Sequence, residues 1–143
     1  SYAVPVYVHE AGVSKIMSQS PVYKIRNRET LLLGAYQITV LYTPGHSMDS
    51  VCFYIDSENA ADKIPKVLSG DTLFVEGCGR TDKNNVQSLY NSLICLKALP
   101  NETEVYPGHD YGSKPTSTIG LEKESNLYLQ TEDFGAFKKM RLG

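Results

Sequence analysis

Apolar positions along this chain fall into short extended runs first and helical spacings last. Val4-Pro-Val-Tyr-Val8 is β-branched and aromatic and predicts a strand that meets His9-Glu10-Ala11-Gly12 at its end, with a short helix or turn following. Thr30 to Leu33 and Gln37 to Tyr42 flank Gly34. The second run alternates Ile38, Val40 and Tyr42 against Gln37, Thr39 and Leu41, so the two predict a hairpin. Val51-Cys-Phe-Tyr-Ile55, Val67-Leu68 and Glu104-Val-Tyr106 predict three further strands. Between Asn85 and Leu99, Val86, Leu89, Tyr90, Leu93 and Ile94 recur at helical spacing, with Gln87, Asn91 and Ser92 assigned to the other side; Pro100 ends this helix. Shorter helices are predicted near Ile119 to Asn126 and Glu132 to Met140. Strands and hairpins followed by a helix, a strand and more helices indicate an α/β or α+β layered fold.

Composition narrows the function classes. A length of 143 residues suits a single domain over 1–143, and 41% hydrophobic residues with ten tyrosines suit a soluble core. The net charge is −2 with both signs interspersed, which gives no nucleic-acid stripe and no basic face for a membrane. No apolar stretch approaches the roughly 18 residues of a membrane span, and no signal-peptide pattern opens the chain. Cys52, Cys78 and Cys95 are odd in number and form no C-x-x-C pair, which speaks against a disulfide framework and a zinc ribbon and for a reducing, cytoplasmic setting. The chain starts at Ser1 instead of methionine, so a processed or trimmed product with residues upstream is expected.

Chemistry concentrates in three turns. Gly45-His46, Gly70-Asp71 and Gly108-His109 each place a potential metal ligand directly after a glycine at the end of an extended run, and they take in two of the three histidines. Pro-Gly-His and Ser-Gly-Asp are ordinary turn sequences when taken singly. Together, 25 and 38 positions apart, they have the wide spacing of a site built by a fold. Glycine lets the backbone bend so that each ligand can face one cleft, and His with Asp suits zinc or iron.

Thr43-Pro-Gly-His46, Ser69-Gly-Asp-Thr-Leu-Phe74, Gly77-Cys-Gly-Arg-Thr-Asp82 and Tyr106-Pro-Gly-His-Asp-Tyr111 resemble, in order, the motifs of the metallo-β-lactamase superfamily, in its glyoxalase II and persulfide dioxygenase branch. That resemblance implies a partial αββα sandwich of mixed sheets with flanking helices. It makes His46 a ligand of a first metal, Asp71 a bridge between two metals or a ligand of a single iron, and His109 a ligand of a second metal. It also sets Arg80 and Tyr111 against glutathione. The implied activity is that of a metal-dependent hydrolase like hydroxyacylglutathione hydrolase, using two zinc ions and a metal-activated water on a thioester of glutathione. One alternative is a glutathione persulfide dioxygenase with one ferrous iron; another is an inactive fragment or interaction module. Chemically, Arg80 offers a planar fork for a carboxylate, and Tyr111 can present its hydroxyl or pack. Cys78 has no base nearby in sequence and reads as structural. His9 reads as a surface or hydrogen-bonding histidine.

The sequence departs from the family pattern in two places. H-x-H-x-D-H is absent from it, which implies a member lacking its first strands, with four ligands of the two-zinc arrangement, or one of three in the iron arrangement, outside the chain. Asp49 stands where the family has glycine, and Asp tolerates a left-handed backbone there. An uncovered sheet edge and apolar surface then lead us to expect a homo-oligomer or strand-exchanged assembly.

Overall fold

A computed structural model describes residues 4–17 and 20–143; Ser1, read above as a trimmed start, lies outside the described residues. Strand β1 (Val6–His9) begins after Pro5, which has no N–H to give to a ladder. A 3-10 turn follows over Glu10–Lys15, and β2 (Val22–Ile25) pairs parallel with β1. That second strand has no expectation behind it, since four residues including a lysine give too little alternation to read. The predicted hairpin is present: β3 (Thr30–Leu33) pairs antiparallel with β4 (Tyr36–Tyr42), and Gly34 holds the turn at φ +61°.

From β4 the chain continues through β5 (Val51–Ile55), β6 (Lys66–Gly70), a two-residue hairpin of β7 (Leu73–Phe74) and β8 (Gly77–Cys78), helix α1 (Val86–Lys97), β9 (Glu104–Pro107) and β10 (Ser117–Thr118). Three helices finish it: α2 (Ile119–Ser125), α3 (Leu127–Gln130) and α4 (Phe134–Leu142). The main sheet has six strands in the order β10-β9-β6-β5-β4-β3. Because β5 is antiparallel to both β4 and β6, and β9 is parallel to β6, the strands β4, β6 and β9 all point the same way. Their C-terminal ends therefore share one sheet edge, and each of the three glycine-ligand turns follows one of those ends.

One sheet face is closed by helices. Leu41, Cys52, Val67 and Val105 meet Leu89, Leu93 and Leu96 of α1, Ile119 of α2, Leu129 of α3 and Phe137 of α4 in a single core. Alternation along the strands turns the intervening residues to the other face, where Leu31, Ile38, Phe53 and Leu68 line an open apolar cleft of about 270 Å³ with Tyr7 at its rim. Cover on that side comes from the β1–β2 pair, where the His9 ring stacks on Tyr42 with centroids 3.9 Å apart.

Two expectations are corrected, and one open alternative is decided. Ser92 is buried and Ile94 is half exposed, the reverse of their assigned sides, because the Ser92 hydroxyl donates to the Pro44 carbonyl at 2.7 Å and turns the helix toward that turn. Of the two readings of His9 the hydrogen-bonding one holds: it is buried, and its Nδ1 accepts from the Ala11 N–H at 3.3 Å, which caps the 3-10 turn. Asp49 needs no left-handed backbone, since the non-glycine residues with positive φ are Arg28, Lys63 and Glu76 among those described. Its carboxylate instead pairs with Lys15 at 3.0 Å and packs on Gly12, and the Lys15 hydrogen bond holds its carboxyl below the usual range.

Candidate active site

At the shared sheet edge the three predicted ligands come together around Asp71. Its Oδ2 lies 3.4 Å from Nε2 of His46 and its Oδ1 lies 3.4 Å from Nε2 of His109. Each histidine thus faces a different oxygen of one carboxylate. Ligands held about 2.0–2.1 Å from a tetrahedral cation stand roughly 3.3 Å apart, so both N···O gaps have the width that one cation would span. Among the described residues no three or more His, Cys, Asp or Glu side chains converge as a single ligand group. The geometry is that of two His–Asp pairs sharing one carboxylate.

Backbone packing explains why glycine precedes each ligand. Gly45 has φ +137° and a Cβ there would stand 2.3 Å from the Leu89 amide nitrogen of α1, so the turn lies directly on the helix. Gly70 bends at φ +51°. Gly108 serves differently: its φ is not positive, but a Cβ would meet Asp71 Oδ1 at 2.6 Å. Gly79 is tighter still, with a Cβ position 1.9 Å from the Asp71 carbonyl oxygen. Expected bending therefore holds at two of these turns, and at the third the glycine makes room for the carboxylate.

The turns are also tied to one another by groups that sequence reasoning missed. Thr72 donates to the Thr43 hydroxyl at 3.1 Å, Thr81 to the Gly45 carbonyl at 2.7 Å, and the Gly108 N–H to the Gly70 carbonyl at 2.8 Å. Each threonine lies within or beside a quoted motif, but nothing in its spacing announces a cross-turn bond. His46 Nδ1 lies 3.1 Å from the Arg80 carbonyl oxygen. A carbonyl can only accept, so Nδ1 is the donor in this hydrogen bond, and Nε2 is the ring nitrogen turned toward Asp71.

Above the carboxylate is a cleft of about 720 Å³, the size of a small-molecule site. It brings together all five predicted site residues, His46, Asp71, Arg80, His109 and Tyr111. Tyr111 is largely exposed, stacks on His109 at 4.7 Å and meets Phe74 edge-on at 5.2 Å. Among the described residues Arg80 makes no ion pair, and Asp82 instead accepts from the Asn84 and Asn85 N–H groups. Cys78 also touches the cleft, but burial pushes its thiol up to about 12, which suits a structural residue and not a nucleophile. Phe74, Glu76 and Tyr128 line the cleft without having been singled out. Phe74 is the last residue of a quoted motif, whereas Tyr128 belongs to α3, a four-residue helix too short to show a period.

The profile of the Metallo-beta-lactamase superfamily matches residues 8–109. This chain belongs to that superfamily. Metal binding goes with membership. A probable hydroxyacylglutathione hydrolase of Schizosaccharomyces pombe is 43% identical over 109 residues, 76% of this chain and 39% of the relative. Among solved structures, a metallo-beta-lactamase from Staphylococcus aureus superposes with TM-score 0.80 at 28% identity, over 87% of this chain and 40% of its own. ETHE1 from Myxococcus xanthus gives TM-score 0.75 at 35% identity, over 88% and 53%. The mixed α/β architecture is thus the metallo-β-lactamase fold, and the chain spans between 32% and 49% of the length of the curated relatives it matches. No helix among the described residues is long and apolar enough to cross a membrane.

Proposed function

We propose that the protein to which this chain belongs is a metal-dependent hydrolase of a glutathione thioester, of the hydroxyacylglutathione hydrolase kind. The observation that carries this reading is Asp71 with one histidine facing each oxygen, an arrangement suited to a carboxylate shared between two cations. His46 would hold the first cation, His109 the second, and Asp71 both; zinc suits the nitrogen and oxygen donors. When bound, two such ions supply a hydroxide near neutral pH and polarise the thioester carbonyl. The chain's own residues do the rest. Arg80 offers its guanidinium, unpaired among the described residues, to a carboxylate of the tripeptide, Tyr111 walls the cleft and presents its hydroxyl, and the Arg80 carbonyl fixes the His46 ring. Relatives bearing the hydroxyacylglutathione hydrolase name support the substrate class.

The second reading is a mononuclear iron enzyme acting on glutathione persulfide, and the likeness to ETHE1 favours it. It would need His46, Asp71 and one further histidine on a single ion. The described residues do not offer three such groups converging.

Elemental analysis of the chain produced in zinc- and iron-supplemented medium separates these. Zinc bound in stoichiometric amount and lost on His46→Ala or Asp71→Ala is the expected result, with thioester cleavage in the protein that supplies the remaining ligands. Iron with oxygen uptake on glutathione persulfide would select the second reading. No metal under either condition would sink a residual metal site in this chain and leave an interaction module. The three free cysteines support a reducing, cytoplasmic setting. The edge strand β3, with Leu32 75% and Leu33 67% exposed beside the open apolar cleft, supports self-association of this chain.

A further inference from the structure

We propose that Glu122, acting through Glu76, is the positioning residue for the loop that carries His109 and Tyr111. The proposal rests on the reading of His109 as a ligand and adds a determinant of its placement. Glu122 is fully buried on α2, where a carboxylate is costly to keep. Its Oε2 accepts from the Glu76 N–H at 2.8 Å and from Asn126 Nδ2 at 2.8 Å, while its Oε1 has no hydrogen-bond partner among the described residues. A buried, half-satisfied carboxylate asks for a reason, and the reason lies in what it holds.

Glu76 sits at φ +60°, a left-handed conformation that costs a non-glycine residue. Held there, its side chain reaches across the cleft rim to Ser113, accepting from the Ser113 hydroxyl at 2.7 Å and from the Ser113 N–H at 3.3 Å. Among the described residues these are the only hydrogen bonds that tie residues 109–116 to the rest of the protein. Packing reinforces the same joint, since a Cβ on Gly112 would stand 2.6 Å from the Val75 side chain. Asn126, one turn along from Glu122, donates to the Gly77 carbonyl at 3.0 Å and closes the other side of the turn. The path from the buried carboxylate to His109 runs through α2, the 74–77 turn and Ser113 into the C-terminal side of the ligand loop, while on the other side the Gly108 N–H holds to the Gly70 carbonyl at 2.8 Å.

Imidazole nitrogen NMR of the metal-free chain, followed by zinc titration, tests this. Glu76→Ala changes an exposed side chain and is expected to shift the His109 resonances, leave those of His46 in place, and weaken zinc binding about tenfold, as supporting partners of metal ligands do. Glu122→Leu is expected to do the same. Glu122→Gln keeps an oxygen that can accept both N–H groups and is expected to match the parent chain, a rescue that bulk or folding alone would not produce. Should Glu122→Leu fail to fold, Glu76→Ala still decides. His109 resonances unmoved in Glu76→Ala, or displaced as far by Glu122→Gln as by Glu122→Leu, would overturn the relay. A parent chain that binds no zinc would remove the ligand reading, and the metal-free spectra would still judge the positioning.

Discussion

Replacing Gly45 with alanine tests the claim that the His46 turn is seated directly on α1. Two costs add. At φ +137° the backbone lies where only glycine is at ease, and holding an L-residue in so sparsely populated a region costs about 1–3 kcal/mol. The new methyl would also stand 2.3 Å from Leu89 N, 2.4 Å from its Cα and 2.5 Å from its Cβ. Those are mostly backbone atoms of a helix packed into the core, so the turn must lift, an overpacking cost of about 1–3 kcal/mol. Loss of glycine's freedom in the unfolded chain returns about 0.4–1 kcal/mol. The net is a destabilisation of about 2–5 kcal/mol.

Gly34→Ala is the internal control. It too has positive φ, at +61°, but nothing lies within 4 Å of its Cβ position. The left-handed cost of about 1–2 kcal/mol is then offset in part by the same unfolded-state term, leaving about 1 kcal/mol. In urea unfolding, with a slope near 1.5 kcal/mol per molar, the midpoint is expected to fall by about 1–3 M for Gly45→Ala and by less than about 1 M for Gly34→Ala. Because His46 rides on the same turn, zinc binding is expected to weaken in the first variant only. Equal midpoints for the two variants would refute the seating of the turn on Leu89.

Three further outcomes follow from the structure. Burial pushes Cys52 up to about 11 and Cys78 up to about 12 from the ordinary 9.0, so both stay thiols in the native state at neutral pH; iodoacetamide with mass-spectrometric mapping is expected to mark the partly exposed Cys95 first, and native labelling of Cys78 at the rate of Cys95 would contradict its burial. A raised thiol pKa contributes stability that is complete below the unfolded value and lost as pH climbs through the folded one, so thermal stability is expected to decline between about pH 9 and 12, and less so in Cys78→Ala. Charging the exposed edge with Leu32→Lys and Leu33→Lys is expected to shift light scattering toward monomer, and a parent chain already monomeric at working concentration would remove the basis for self-association.

Much of the site was legible because its signals are local. A glycine followed by a ligand after an extended run can be read residue by residue, and strand polarity then sends His46, Asp71 and His109 to one edge. Unread features are those in which a side chain serves a distant backbone group. Ser92 looked like solvent-facing helix because serine is polar, yet its hydroxyl answers the Pro44 carbonyl 48 positions away. His9 at a strand end is open to a surface or a hydrogen-bonding role, and its stacking on Tyr42 together with the cap on its own turn decides for the second. Strand β2 and helix α3 are four residues each, shorter than the window in which a period shows. Glu122 sits in a polar stretch of α2 that gives no hint of complete burial.

The restraints on the three ligands have a common origin. Gly45 rests on Leu89 of α1, Pro44 is held by Ser92 of the same helix, the Glu76 turn is held by Glu122 and Asn126 from α2 and its C-terminal cap, and Arg141 of α4 donates to the Gly79 carbonyl at 2.9 Å beside Asp71. Every one of these anchors lies in the helical layer, and none is drawn from the sheet face that carries the open apolar cleft. Whatever covers that face, the relative placement of His46, Asp71 and His109 is set by groups within this chain. Under the proposed ligand reading, added donors would meet a carboxylate and two rings already held in position, the ordering cost of those three groups having been met by folding.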